Sequence, residues 1–180
     1  MKIDLAGQRA LLDGLRPALR DAIAAALTEN GARLVTAALD DTGAADLLVL
    51  GDAAGAEAAL AASGASRAVL LLDAFAAVPA RRFAAESVRA AAALATLRTL
   101  AMRLAPAVRI NAVGCGAISQ DGAWLTGDAT MLSHVPGHQP GTPADLVHAV
   151  LFLADPANSY MTGQMLVVDG GWSTGYGRNF

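Results

Sequence analysis

The stretch LLDGLRPALRDAIAAAL, residues 11–27, limits what this chain can fold into more than any other. An apolar run ends on Asp13-Gly14, turns, and enters an alanine-rich segment with apolar residues at helical spacing. Pro17 suits the first turn of a helix and Gly31 stands just past its end, which predicts a strand over 8–13 and a helix over 17–29. A strand that turns through glycine into a helix is the first half of a strand–helix–strand unit. The start of that helix offers backbone N–H groups to an anion.

The same alternation continues along the chain. Strands are predicted near 32–37, 46–51 and 67–73, with a short alanine-rich helix between the last two. A long helix follows over about 81–104, then a strand over 108–113 and a polar, glycine-containing loop over 115–142. Thr142 is the expected N-cap of a helix over 143–154, and a last strand, 164–169, runs into Asp169-Gly170-Gly171. Strands alternating with helices predict an α/β fold with a mainly parallel sheet. The chain has 180 residues, enough for one full core, and no repeat, charge block or linker divides it, so one domain over 1–180 is expected.

Charge and composition exclude some functions. Net charge is −3, the 13 cations are dispersed and aromatics are 4%, leaving little for phosphate neutralisation and base stacking on nucleic acid. A single cysteine, Cys115, excludes an intrachain disulfide and a cysteine zinc cluster. No apolar run approaches the ~18 residues of a membrane span, and MKIDLAGQRALL has no signal-peptide core, so the expectation is a soluble cytoplasmic protein.

The C-terminal third resembles the short-chain dehydrogenase/reductase family. RINAVGCGAI (109–118) is similar to that family's R-x-N-x-V-x-P-G-x-I segment, and GTPADLVHAVLFLADPANSYMTGQMLVVDGG (141–171) follows its last helix and strand. GQRALLDG, ENGARLV and ADLLVLGDAAG fit its first, second and fourth strands more loosely. The resemblance implies a Rossmann-like doubly wound sheet of about six strands, NAD(P) at the strand carboxyl ends, and oligomers, frequently tetramers. It also implies a shortened member. The run from Asp40 to Asp46 leaves no room for the family's third strand, and residues 53–66 replace a long helix.

Carried over residue by residue, the resemblance implies a degenerate site. The family's T-G-x-x-x-G-x-G falls on residues 13–20, where Gly14 stays but Ala18 and Arg20 replace later glycines that keep side chains away from pyrophosphate. Arg20 either clamps a phosphate, or is a solvated helix-start arginine or one paired with Asp13. The N-N-A-G segment falls on Leu50-Gly51-Asp52-Ala53, and the ribose-holding acid on Ala38, with Asp40 nearby. The catalytic tyrosine and lysine positions are given to Ser87 and Ala91, and the substrate-orienting serine to Asp73 or Ala74. The only lysine is Lys2 and the only tyrosines are Tyr160 and Tyr176, all outside the long helix.

Asp13, Asp52 and Asp73 stand at the expected carboxyl ends of neighbouring strands. They are either a cation or acid–base site in a negative crevice, or caps for the helix starts that a phosphate once occupied. Cys115 is a nucleophile or a small buried filler. His134 and His138 have i, i+4 spacing broken by Pro136-Gly137, which favours a loop role over metal binding, and His148 belongs to a surface helix. The last helix and strand, with Phe152, Tyr160, Met165, Val167 and Trp172, are the expected interface, although Trp172 also suits the core.

The reading that follows is a non-catalytic subunit, without bound cofactor or metal, that associates with itself or with a full-length family member. An NAD(P)-dependent carbonyl reductase or alcohol dehydrogenase using Asp73 with Ser87 is the alternative. A ligand-binding module with 115–142 as a lid is a third.

Overall fold

The computed structural model describes residues 2–36 and 44–175. Ala38, Asp40 and Tyr176 therefore lie outside the described residues. The first strand, β1 (Arg9–Asp13), turns into α1 (Pro17–Glu29), within the limits set by Pro17 and Gly31. Then come β2 (Arg33–Val35), β3 (Leu47–Leu50), α2 (Ala56–Ser63) and β4 (Arg67–Asp73). Two 3-10 turns, Ala74–Ala76 and Arg81–Phe83, lead to α3 (Ala84–Leu104) and β5 (Arg109–Cys115). A hairpin of β6 (Ile118–Gln120) and β7 (Ala123–Thr126) precedes a 3-10 segment, Ala129–His134. The chain ends its core with α4 (Pro143–Ala154), β8 (Met165–Val168) and a 3-10 turn, Trp172–Thr174.

Six strands form one parallel sheet in the order β2-β1-β3-β4-β5-β8. The expected α/β architecture is thus present. Among the described residues no strand lies outside β2, in keeping with the short run from Asp40 to Asp46. The chain moves outward from β1 to β2, then crosses back to β3 on the other side of β1. That reversal opens a crevice at the carboxyl ends of β1 and β3.

Side chains alternating along the strands feed two helix layers. Val69 and Leu71 of β4 join Leu19, Ile23 and Leu27 of α1 and Leu146 and Val150 of α4 on one face. Ala68, Leu70 and Leu72 join Leu60 of α2 and Leu94, Leu97 and Leu100 of α3 on the other. A strand buried on both faces reads as a continuous apolar run, as RAVLLLD does. Each fully buried leucine contributes about 1.5–3 kcal/mol of transfer free energy. Two buried polar side chains tie the layers together. Arg67 donates from Nη1 to Ala154 O (2.9 Å) and from Nη2 to Gln8 Oε1. Asn111 donates to Met161 O (2.9 Å) and accepts from Gln164 N (3.0 Å).

Residues 115–142 differ from the expected loop. Their hairpin turns at Asp121-Gly122, both at positive φ (51° and 79°), as a two-residue hairpin turn requires. Met131 and Val135 are buried with Phe75, Ala90, Ala117 and Trp172 in a third small cluster at the carboxyl end of the sheet. The segment is packed scaffold, because its apolar residues have a core of their own to enter.

Candidate functional site

The crevice is shaped by one close backbone approach. Gly14 leaves β1 at φ +64°, a left-handed conformation that glycine adopts without strain. Gly51, at the end of β3, lies directly against it, and its N–H donates to Asp13 O at 3.0 Å. A Cβ on Gly51 would sit 2.0 Å from the Gly14 carbonyl oxygen. Both glycines are therefore required by the turn, whatever binds there.

Arg16 and Asp52 line this crevice with Asp73 at the end of β4 and Arg89, Ala90 and Ala93 on α3. Together the lining residues enclose about 280 Å³. Asp52 folds back on its own turn, accepting from the N–H groups of Ala53 (2.5 Å) and Ala54 (3.2 Å). Burial pushes the Asp73 carboxyl above the ordinary carboxylate range, Arg89 and Arg16 oppose that shift, and Glu86 and Asp52 reinforce it. A carboxyl so placed holds its proton to higher pH than a free aspartate and can donate it to a bound group.

Several expectations are corrected here. Asp13 is exposed and does not line the crevice, so the three carboxylates do not converge. Among the described residues no group of three metal-ligating side chains does. Nor do the aspartates cap α1 or α2; Asp73 holds the N-cap position of the 3-10 turn Ala74–Ala76, without a side-chain bond. The N-cap of α1 is Arg16, with no side-chain bond, and that of α2 is Gly55. The crevice is not purely negative, because Arg16 and Arg89 face the two acids. Arg20, the candidate clamp, is exposed, stands apart from the crevice and makes no ion pair with Asp13. The arginine at the crevice is Arg16, four residues earlier. Its position immediately before the helix-starting Pro17 is the signal that could have singled it out.

The two positions given to the tyrosine and lysine also lie away from the crevice. Ser87 is buried and donates to Phe83 O (2.7 Å) while accepting from Ala80 N (3.0 Å). Ala91 is exposed, and Ala90 occupies the crevice wall instead. Ala18 is half-buried and not in contact with the crevice space, and Ala74 is buried beneath it.

Cys115 is buried beside Asp73 in the sheet, and burial pushes its thiol up to about 12, with the Asp73 charge adding to the shift. It stays protonated where it borders the crevice. His134 shares a hydrogen bond with Ser133 (2.9 Å) and His138 with Leu132 O (3.2 Å), while His148 is exposed on α4.

On the expected interface, Phe152, Tyr160 and Val167 are exposed. Trp172 is not: it is 3% exposed and packs edge-on against Phe75, with ring centroids 5.3 Å apart. Met165 is half-buried against Gly114, which has no side chain to hold it off. Trp172 belongs to the core of this chain, and Met165 packs against its edge.

Comparison with known proteins fits this geometry. A family model described as Enoyl-(Acyl carrier protein) reductase matches residues 44–173, well over half of the chain. This chain belongs to the short-chain dehydrogenase/reductase family. An uncharacterized oxidoreductase of Mycobacterium tuberculosis is 37% identical over 97 residues, which are 51% of this chain and 37% of that protein. A 3-oxoacyl-[acyl-carrier-protein] reductase of Chlamydia pneumoniae is 42% identical over 67 residues, 36% of this chain and 27% of the relative. The matched segments thus span about a third of these relatives' length. A short-chain dehydrogenase/reductase from Serratia marcescens superposes with a TM-score of 0.79 at 18% identity, covering 94% of this chain and 99% of that one.

The family implies NAD(P); the described crevice is lined by two acids, Asp52 and Asp73, and two arginines, Arg16 and Arg89. Among the described residues no helix is long and apolar enough to cross a membrane.

Proposed function

We propose that this chain is a non-catalytic member of the short-chain dehydrogenase/reductase family that acts by association. Its partner is a second copy or a full-length relative, joined through the face formed by α4 and β8. The observation that carries this reading is the state of β8. Among the described residues it closes the sheet as an edge strand with an exposed Val167, and Phe152 (40% exposed) on α4 and Tyr160 (fully exposed) in the connection to β8 are exposed as well. A short apolar edge with aromatic neighbours is a surface that proteins normally pair or cover. The small crevice and the backbone-bonded Ser87 support the same reading, because neither offers a dinucleotide or a hydroxyl acid to chemistry.

Sedimentation velocity on the 18.2 kDa chain tests it. The expected result is a species of at least twice that mass, which Val167→Arg converts to monomer. For a heteromeric complex, the shift appears only after co-expression with a full-length reductase. A homogeneous monomer that gains no mass with either partner sinks the proposal.

One observation favours a second reading. The relatives carry oxidoreductase names, and Asp73 combines a raised pKa with a place in the crevice. On that reading the chain is an NAD(P)-dependent oxidoreductase with Asp73 as its proton donor. Ser87 has no part in it, since its hydroxyl proton goes to Phe83 O.

A further inference from the structure

Of the four asparagines, at 30, 111, 158 and 179, only Asn30 is followed by glycine, and it closes α1. Its side chain fastens the segment before β1 to the end of that helix. Oδ1 accepts from Ile3 N (2.7 Å), and Nδ2 donates to Ala26 O (2.8 Å). The Asn30 carbonyl accepts from Leu5 N (2.9 Å), and Leu5 is fully buried in the cluster that holds α1 and α4. Residues 3–6 thus form a strap, which then crosses Gly31. A Cβ at position 31 would sit 3.1 Å from Ala6 N, and φ there is +95°, so the strap favours glycine.

Glycine is also the neighbour that shields an asparagine side chain least from its own backbone. The Gly31 nitrogen can attack Asn30 Cγ to form a C–N bond. The bond from Cγ to the side-chain nitrogen then breaks, ammonia leaves with the Gly31 proton passed through solvent, and a five-membered imide remains. Water opens that ring to aspartate or isoaspartate, with no change of oxidation state. In the folded chain Gly31 N donates to Thr28 O (2.9 Å), so the attack waits for the last turn of α1 to fray, as helix ends do.

We propose that Asn30-Gly31 is a self-modification site, and that its conversion to aspartate or isoaspartate unfastens the strap. The inference is independent of how the chain associates. Neither product's carboxylate can donate to Ala26 O, and either places a negative charge at the negative end of α1. Isoaspartate also adds one atom to the backbone between α1 and β2, where Ala32 N donates to Leu27 O and Arg33 N to Gln8 O. The packing that favours Gly31 is what keeps the asparagine open to this chemistry. Because ammonia is lost, refolding does not restore the clasp.

Peptide mapping by mass spectrometry tests the assignment, on the folded chain incubated in mildly alkaline buffer beside a sample unfolded in guanidinium. The expected result is that Asn30 converts before the other three asparagines in both samples, and more slowly in the folded one. Hydrogen exchange on the aged, folded chain is then expected to show the Ile3 and Leu5 amides opening about threefold to tenfold faster, the equivalent of one lost hydrogen bond. Freshly made Asn30→Asp should show the same acceleration without incubation. Asn30 left intact in the folded chain after the unfolded sample has fully converted would overturn the proposal. So would Ile3 and Leu5 amides that stay as protected in the converted chain, or in Asn30→Asp, as in the parent.

Discussion

Helices α1 and α4 lie in the same layer, pack on each other and both begin with proline, but their first turns are finished differently. At α4 the Thr142 side chain and the Asp145 carboxylate close a capping box; Thr142 N donates to Asp145 Oδ2 at 2.7 Å. The first turn is completed by the helix's own residues. At α1 the N-cap is Arg16, whose side chain cannot accept a hydrogen bond, and no side chain takes that place. The start of α1 relies on geometry alone: Gly14 in a left-handed turn, Gly51 against it, and Pro17 fixing the first φ. The lesson is that one helix start is self-contained and belongs to a face built for packing. The other frames a crevice of about 280 Å³ lined by Arg16 and Arg89 as well as Asp52 and Asp73.

The largest expected effect breaks the α1 side of this comparison. Gly51→Ala puts a methyl group on the Gly14 carbonyl, so the β1–α1 turn must move. A loss of about 3 kcal/mol or more in urea unfolding is expected. An unchanged midpoint would show that the close approach is not needed. Next, Leu19→Ala on α1 and Leu146→Ala on α4 should each cost about 2–5 kcal/mol, because both side chains are buried in the same cluster. Equal losses would mean that the two helices are equally anchored in the core despite their different starts.

Capping substitutions sharpen the contrast with smaller effects. Thr142→Ala should cost about 1 kcal/mol in thermal or urea unfolding by opening the capping box. Arg16→Ser should act in the other direction, adding about 0.5–1 kcal/mol by supplying an acceptor that α1 lacks. If Arg16→Ser destabilises instead, Arg16 is contributing more to the crevice than its position indicates.

The smallest effects concern pH, and their signs are opposite. Asp73 has its pKa raised above 3.8 by burial, so folding favours its protonated form. Its ionisation destabilises the fold as pH rises from 3.8 through the raised value. Asp73→Asn should therefore remove a penalty at neutral pH and change little in acid. Asp145 has its pKa lowered by hydrogen bonds from the Thr142 backbone and side chain. Its contribution is present above 3.8 and is lost as pH falls through the lowered value. Asp145→Asn should destabilise at neutral pH and converge with the parent protein in acid. Paired unfolding curves across pH check both signs.

The legible parts of the sequence were those decided locally. The limits of α1 and α4 follow from Pro17, Gly31 and Thr142-x-x-Asp145, signals that act within one helical turn. The parallel sheet follows from apolar runs such as RAVLLLD. The β6–β7 hairpin also had a local signal, Asp121-Gly122, hidden in a segment whose polar, glycine-bearing composition suggests a loop. What could not be read depends on distant elements. Trp172 is core because Phe75 and Met131 happen to meet it. Arg89 and Ala90 face the crevice, rather than Ser87 and Ala91, because of how α3 rotates against β4. Asp13 leaves the acidic group because the close Gly14–Gly51 contact turns the chain away at that point.

The proposed loss of dinucleotide binding at the crevice beside Gly14 and Gly51 is tested most directly by titration of NADH and NADPH followed by cofactor fluorescence. The expected result is no saturable change below millimolar concentration for either cofactor, with the protein folded and at its native mass. Micromolar, one-to-one binding of either cofactor, weakened by Asp52→Arg or Arg16→Glu at the crevice, would contradict it.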